Sequence, residues 1–221
     1  MKILIVIPAF NEMPQIGELL DRLLKKVDRR DVLVVDDGST DGTGDIASSK
    51  GVRILRNERN LGKGISLRKG FEVALAEGYD GVVTMDGDLQ HDVEDLPGIL
   101  KMARRGYDMV IGSRWKDMSG MPFDRYFTNR LTTFILSLLS GKRLEDTQSG
   151  YRFIKRNVLR SVDVSSSNYD FESEYVLKAA IRGYSIGFAP IKTIYGAEKS
   201  HINKVRDTLR FVRLTLKYLW R

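Results

Sequence analysis

The sequence predicts an α/β fold, a mostly parallel central sheet with helices on both faces, followed by a C-terminal amphipathic helix. Three observations predict it. Short β-branched runs alternate with longer segments of helical period, the alternation that gives parallel strands joined by crossover helices. The connections between them are short, and neither an internal repeat nor a low-complexity linker interrupts them. Polar clusters follow four of the strands at their carboxyl ends, where ligands bind in such sheets.

Each element follows from its own residues. "ILIVIP" (3–8) is a continuous apolar run and reads as a buried strand. Residues 13–26 place Ile16, Leu19, Leu20, Leu23 and Leu24 on one helical face. "DVLVV" (31–35) is the second strand, followed by a short helix and then the third strand, "VRIL" (52–55). A longer helix is expected over 64–77, a fourth strand at "GVVTM" (81–85), a helix over 94–105 and a fifth strand at "DMVIG" (108–112). Beyond Arg114 the regularity weakens. A segment rich in Arg and aromatics (115–130) leads to the apolar helix "LTTFILSLL" (131–139), the stretch "DTQSGYRFIKR" (146–156), a helix over 171–182, a strand-like "YSIGFAPI" (184–191) and a helix from about 203. The expected division is an α/β domain over 1–200 and a basic amphipathic helix over 201–221.

Composition narrows the class. A chain of 221 residues, 42% of them hydrophobic, suits one domain with a full core. No cysteine is present, which excludes disulfides and thiolate metal sites and fits a reducing compartment. "MKILIVIPAF" is too short and too quickly polar for a signal peptide or a membrane span, and "FILSLL" falls far short of the roughly 20 residues a span needs. A soluble or peripheral protein is expected. The net charge is +7, and residues 204–221 hold six basic side chains against Asp207, so +5 of that total lies in the C-terminal stretch. Basic clusters suit nucleic acid, anionic membranes or phosphorylated ligands, and the sum does not choose among them.

The strand-end clusters carry the chemistry: "AFNE" after the first strand, "DDGSTDGT" after the second, "DGDLQH" after the fourth and "GSR" after the fifth. Two carboxylates ending a buried strand repel each other and are costly to desolvate, so a cation should hold Asp86 and Asp88. At the end of an extended strand, positions i and i+2 point the same way with Cα atoms roughly 6–7 Å apart. Oxygen ligands without cysteine suit Mg²⁺ or Mn²⁺, with substrate phosphates completing the shell. In "DDGSTDGT", Ser39 or Asp41 can cap the short helix while Asp36 or Asp37 accepts hydrogen bonds from a base or ribose. "NLGKG" sets Gly62 and Gly64 around Lys63 before a helix, a favourable phosphate seat that matches neither a P-loop nor a dinucleotide fingerprint.

Together "IPAFNE", "VVDDGSTDGT", "NLGKG", "DGDLQH", "GSR" and "DTQSGYRFIKR" resemble, in order and spacing, the family-two inverting glycosyltransferases with a GT-A (Rossmann-like) fold, and most of all the dolichol-phosphate (polyprenol-phosphate) mannose synthases. The resemblance covers roughly residues 2–196. It implies a nucleotide-sugar donor, GDP-mannose above others, a Mg²⁺ or Mn²⁺ ion, and transfer with inversion to dolichyl or polyprenyl phosphate. By motif position, Pro8, Asn11 and Glu12 with Asp36 and Asp37 would hold the nucleoside, with Lys63 also on the donor side. Asp86, Asp88 and Gln90 would attend the metal. Arg114 and Arg130 would grip the acceptor phosphate, with Ser149 and Arg152 at the same end, so that Asp88, Arg114 and Arg130 are the residues expected to carry catalysis. His91 follows Gln90 in the pattern, and a polar residue starting the next helix is an equal reading of it.

Other readings remain open at this point. UDP-glucose or another sugar nucleotide could be the donor, a hydroxyl could be the acceptor, and a nucleotidyltransferase could share paired aspartates on an α/β core. A hydroxyl acceptor would need a base, for which Asp146 is the candidate; with a phosphate acceptor Asp146 reads as structural or Arg-pairing. In the C-terminal helix Val205, Leu209, Val212, Leu216 and Leu219 form one stripe and Arg206, Arg210, Arg213, Lys217 and Arg221 a second beside it. That pattern suits binding to a membrane surface, here at the cytoplasmic face, and equally a helix packed on the domain. Residues 134–139 could be a second membrane contact but are expected in the core. A nucleic-acid partner is not expected, because it leaves "DGDLQH" unexplained.

Overall fold

The computed structural model describes residues 1–115, 123–166, 170–192, 194 and 204–219, and of residues 124–125 and 204–209 the backbone alone. In chain order the elements are β1 (Ile3–Ala9), α1 (Met13–Leu23), β2 (Val32–Asp36), α2 (Thr43–Ser49), β3 (Arg53–Arg56), α3 (Lys63–Ala76), β4 (Gly81–Thr84), α4 (Leu96–Arg104), β5 (Met109–Ser113), α5 (Phe123–Ser140), β6 (Arg152–Lys155), α6 (Arg156–Ser161), α7 (Asp170–Ile181), β7 (Ile186–Pro190) and α8 (Lys204–Leu219). The strands form one seven-stranded sheet in the order β3-β2-β1-β4-β6-β5-β7. β6 runs antiparallel to β4 and β5, and the other neighbouring strands are parallel.

The continuous apolar runs of β1 and β2 follow from burial on both faces. Leu4 and Val6 point into one layer with α3, α6 and α7, where Phe71, Val158 and Phe171 lie. Ile5 and Ile7 point into the other with α1, α2 and α4, where Ile16, Leu19, Ala47 and Ile99 lie. α3 crosses β1 so closely that a Cβ on Gly70 would come 2.4 Å from Val6 Cγ1. This contact sets how closely α3 lies against β1.

Four elements differ from expectation, one of them the short helix α6, which was not foreseen. α1 ends at Leu23, because its last turn tightens: Lys26 N–H donates to the Leu23 carbonyl at 2.9 Å. α5 begins at Phe123, eight residues before the apolar run that predicts it, since Thr128, Asn129 and Arg130 lie outside the core and hide its period. β6 was not foreseen as a strand; it enters the sheet between β4 and β5, a reversal that strand–helix alternation does not signal.

α8 packs on α5 and α7 through Phe211, Leu214, Thr215 and Tyr218. The apolar stripe expected for it points outward at Val212, Leu216 and Leu219. The side chains of Val205, Arg206 and Leu209, the residue Arg221, and the boundary expected at residue 200 lie outside the described residues. No described helix is long and apolar enough to cross a membrane.

Glu174 fastens α8 to this layer. Its fully buried carboxylate accepts from Ser166 N–H at 2.9 Å and Ser166 Oγ at 2.7 Å, pairs with Lys178 Nζ at 2.9 Å, and receives the Tyr218 hydroxyl at 3.4 Å. Burial alone would raise its pKa, but the Ser166 and Lys178 hydrogen bonds outweigh burial and lower it from 4.5 to about 2. Glu174→Gln should therefore cost about 2 kcal/mol of stability at pH 7. A depressed carboxyl stabilises fully above its unfolded value and loses that contribution as pH falls through the folded one. In urea titrations the wild-type advantage should be constant above pH 4.5 and shrink from there toward about 2; an advantage independent of pH would contradict this role.

Candidate active site

The loops after β1 and β2 are tied into one wall. Asn11, left-handed at φ 56°, donates its N–H to Ser39 Oγ at 3.0 Å, while Thr40 N–H donates to Asn11 Oδ1 at 3.0 Å. Glu12 N–H donates to Thr43 Oγ1 at 2.8 Å and Met13 N–H to Asp41 Oδ2 at 3.0 Å. The first N–H groups of α1 have no partner within their own helix, so the second loop supplies their caps. Pro8 lies buried on β1 opposite Val35, and Glu12 lies against the "DGD" turn, its Cγ 3.4 Å from where a Cβ on Gly87 would stand.

Asp36 and Asp37 build this wall. Asp36, 4% exposed, accepts Ser39 N–H at 2.9 Å and lies 3.9 Å from Arg56 Nε. Asp37, 3% exposed, accepts from Asn57 Nδ2 at 2.7 Å, Leu61 N–H at 3.0 Å and Gly62 N–H at 2.8 Å. Gly62 has φ 101°, a conformation that glycine adopts without strain, and it turns the chain so that Lys63 opens α3. Both carboxylates thus have loop donors as partners, a structural task that the expectation of nucleoside contacts did not include.

Across from the wall is the "DGD" turn. β4 ends at Thr84, and Leu89 is left-handed at φ 60°, so Asp86 and Asp88 lie on a turn and not on an extended strand end as expected. Asp86 N–H donates to His91 Nδ1 at 3.1 Å, and the His91 ring stacks on Tyr151 at 5.0 Å between centroids. His91 therefore positions the turn, and its burial lowers its pKa, keeping the imidazole neutral. Asp88 Oδ1 accepts Gln90 N–H at 3.0 Å. Lys63 Nζ lies 2.6 Å from Asp86 Oδ1 and 3.2 Å from Glu172 Oε1 on α7. A Cβ on Gly150 would stand 2.6 Å from Asp86 Oδ2, so the "SGYR" loop closes over the carboxylate only because that residue is glycine.

The electrostatics separate the two acids. Burial would raise the Asp86 pKa, but Lys63, with His91 and Arg152 behind it, outweighs burial and lowers it. Burial and the charge of Asp86 both raise that of Asp88. Burial would depress Lys63, and Asp86 and Glu172 together raise it. The donor set suits a hard divalent cation: oxygen ligands only, and a protein ammonium already in contact with one of them. Among the described residues no cluster of three His, Cys, Asp or Glu surrounds the turn. A Mg²⁺ or Mn²⁺ ion here would take two carboxylates from the protein and the rest of its shell from phosphate and water.

Beyond the turn lies an arginine-rich end. Arg114 donates from Nε to Asp146 Oδ2 and from Nη2 to Asp146 Oδ1, each at 2.8 Å, and its backbone N–H bonds the same carboxylate at 3.2 Å. Asp146 is 1% exposed; burial would raise its pKa, and Arg114 outweighs burial and lowers it. Arg130, exposed on α5, lies over the rings of Trp115 and Tyr126 at 5.3 and 5.9 Å from their centroids. Ser149 is buried, its Oγ 3.4 Å from Tyr151 N–H.

Arg152 departs from the expected acceptor contact. It is 2% exposed, and its guanidinium donates to the carbonyls of Ser149 at 2.7 Å, Glu172 at 2.8 Å and Thr147 at 2.9 Å. These bonds join the 147–149 loop to α7, so it cannot reach a phosphate without breaking them. Glu172 was not singled out from the sequence. It sits among the acids opening a helix, and nothing in the spacing ties residue 172 to residue 63.

Comparison with known proteins shows the family and the fold. The family profile described as "Glycosyl transferase family 2" matches residues 4–163. The chain is 35% identical over 202 residues to an undecaprenyl-phosphate mannosyltransferase of Micrococcus luteus, covering 86% of this chain and 83% of that one. It is 30% identical over 216 residues to a UDP-N-acetylglucosamine–dolichyl-phosphate N-acetylglucosaminyltransferase of Methanococcus voltae, covering 87% and 86% of the two chains. Among solved structures, glucosyl-3-phosphoglycerate synthase of Mycobacterium tuberculosis with Mn²⁺, UDP and phosphoglyceric acid superposes with a TM-score of 0.77 at 21% identity, over 99% of this chain and 77% of that one. The shared architecture is the GT-A fold.

Proposed function

The chain belongs to glycosyl transferase family 2 and is a glycosyltransferase; from that premise we propose that it transfers a hexose, with mannose from GDP-mannose as the favoured donor, to polyprenyl or dolichyl phosphate with inversion. One observation carries the choice of acceptor. Asp146, the nominated base, is buried and held bidentately by Arg114, which keeps it below the ordinary carboxylate range. A sugar hydroxyl must lose its proton to a base as it attacks. A phosphate monoester, with a second pKa of about 6, is ionised at neutral pH and attacks without one. What it needs is positive charge in a fixed place. Arg114, oriented by Asp146, and Arg130, supported on Trp115 and Tyr126, supply it.

On the donor side, Pro8, Asn11 and Glu12 would line the nucleoside pocket in the wall that Asp36 and Asp37 hold rigid. Asp86 and Asp88, with Gln90 beside them, would hold Mg²⁺ or Mn²⁺, which neutralises charge on the departing diphosphate. Lys63 adds a further cation on that side. Arg152 and Ser149 shape the acceptor loop and Arg152 touches no substrate. The relative from Methanococcus voltae is named for a UDP-N-acetylhexosamine donor, so the donor sugar is the point most in need of a direct test.

The acceptor also explains an exposed surface. On α5, Phe123, Phe127, Leu131, Phe134 and Leu138 lie exposed at helical spacing, and the outward stripe of α8 adds Val212, Leu216 and Leu219. Residues 134–139 were expected in the core, but only Leu136 is fully buried. Arg130, Arg213 and Lys217 are exposed on the same two helices. Apolar side chains flanked by basic ones favour an anionic membrane surface, each basic residue adding about 1 kcal/mol. In this reading residues 1–200 are the catalytic domain and 201–221 a membrane-binding helix, working peripherally at the cytoplasmic face, where a polyprenyl tail could leave the crevice past Arg130.

Two measurements test these readings. In a panel of radiolabelled sugar nucleotides offered with polyprenyl phosphate, GDP-mannose should give the fastest transfer and EDTA should abolish it; turnover of a water-soluble hydroxyl acceptor without lipid phosphate would overturn the acceptor assignment. In flotation with anionic vesicles the wild type should rise with the lipid, and a Phe127→Glu/Phe134→Glu variant should rise about tenfold less while remaining folded. Equal flotation of the two, or retardation of DNA in place of flotation, would refute the membrane surface.

A further inference from the structure

Lys63 occupies an unusual place. It is the first residue of α3, where the helix dipole disfavours positive charge, so helix stability does not account for it. Its ammonium lies among the carboxylates of Asp86 and Glu172, with Asp88 on the same turn. The two contacts are unequal. The 2.6 Å approach to Asp86 Oδ1 is a close ion pair, whereas Glu172 Oε1 at 3.2 Å is within ionic range but has no hydrogen-bond donor among the described residues, although it is buried. A buried carboxylate oxygen without a donor is costly unless another state of the protein uses it. An ammonium has three donors and a flexible stem, so Nζ can move between these neighbouring oxygens without any backbone change.

We propose that Lys63 is the resident counter-ion of the metal site: it neutralises Asp86 in the metal-free protein, yields that carboxylate when a divalent cation binds, and is then held by Glu172. This rests on the reading of Asp86 and Asp88 as metal ligands. Without Lys63, Asp86 would be a half-buried carboxylate beside a second acid with no cation in contact, which is unfavourable. When the metal arrives, two cations cannot share Asp86, and the ammonium needs another anion within reach. Glu172 is that anion. The four groups Lys63, Asp86, Asp88 and Glu172 sum to −2 without the metal and to zero with it, and competition by the ammonium for Asp86 sets the metal affinity of the donor-free protein lower than the two aspartates alone would give.

The test is Mn²⁺ affinity, measured by electron paramagnetic resonance on the full chain without donor or acceptor. Lys63→Met should bind Mn²⁺ about tenfold more tightly than the wild type, because the competing cation is gone. Lys63→Arg, which keeps the charge, should show no such gain. Glu172→Gln should bind Mn²⁺ more weakly, and this loss should be smaller when combined with Lys63→Met, since part of it depends on the ammonium having no second partner. Unchanged or weaker binding by Lys63→Met, or strictly additive effects of the two substitutions, would overturn the exchange while leaving the metal site intact. Failure of the wild type and every variant to bind Mn²⁺ would overturn the metal site and the exchange with it. Opposite shifts in the two single variants cannot both come from loss of folding.

Discussion

A carboxylate placed in a low-dielectric crevice must have a cation beside it, and the arrangement around Asp86 is built to meet that requirement. Lys63 supplies the cation in the structure, at 2.6 Å. Several distant features serve this one contact. The α3–β1 crossing at Gly70 holds α3 close to the sheet, and Asp37 holds the Leu61 and Gly62 amides just before Lys63 opens the helix. Gly150 lets the acceptor loop pass over Asp86, and Arg152 ties that loop to α7, the helix that carries Glu172. The ion pair thus joins the wall built from the first two loops, the "DGD" turn and the 147–149 loop.

The two ends of the crevice use charge differently. At the proposed donor end, carboxylates face a lysine within reach of two of them, an arrangement suited to an ion that comes and goes with its substrate. At the arginine-rich end, Arg114 is held in a plane by two 2.8 Å hydrogen bonds to Asp146, and Arg130 rests on aromatic rings. Pairing of this kind holds a guanidinium in orientation at the expense of the basicity of its partner, which suits an acceptor that arrives already ionised. Arg130 stands on α5 with the exposed apolar side chains of that helix, so the proposed lipid surface and the proposed acceptor phosphate site share one helix.

Much of this was legible in the sequence because the signals are local. Strand–helix alternation located β1 to β5 along the chain and implied their parallel pairing, and the polar clusters fell at the ends of four of these strands. The apolar stripe of α8 was legible at positions 212, 216 and 219, but the pattern alone suited a membrane surface and the domain equally; in the structure these residues are exposed. What escaped depends on contacts between residues far apart in the chain. β6 joins the sheet by reversing direction, Arg152 is buried by carbonyls of another loop and of α7, and Glu172 meets Lys63 across more than a hundred residues. The geometry of "DGD" was misread for a local reason: extended spacing was assumed through Asp88, and the left-handed Leu89 shows that the chain has already turned.

Anomalous diffraction at the manganese edge, from crystals of the protein with Mn²⁺ and the nucleoside diphosphate of its donor, tests the central claim most directly. The account predicts a single peak within coordination distance of both Asp86 and Asp88, with Lys63 Nζ withdrawn from Asp86. No peak at the turn, with the ammonium still in contact with Asp86 and the diphosphate bound elsewhere, would contradict it.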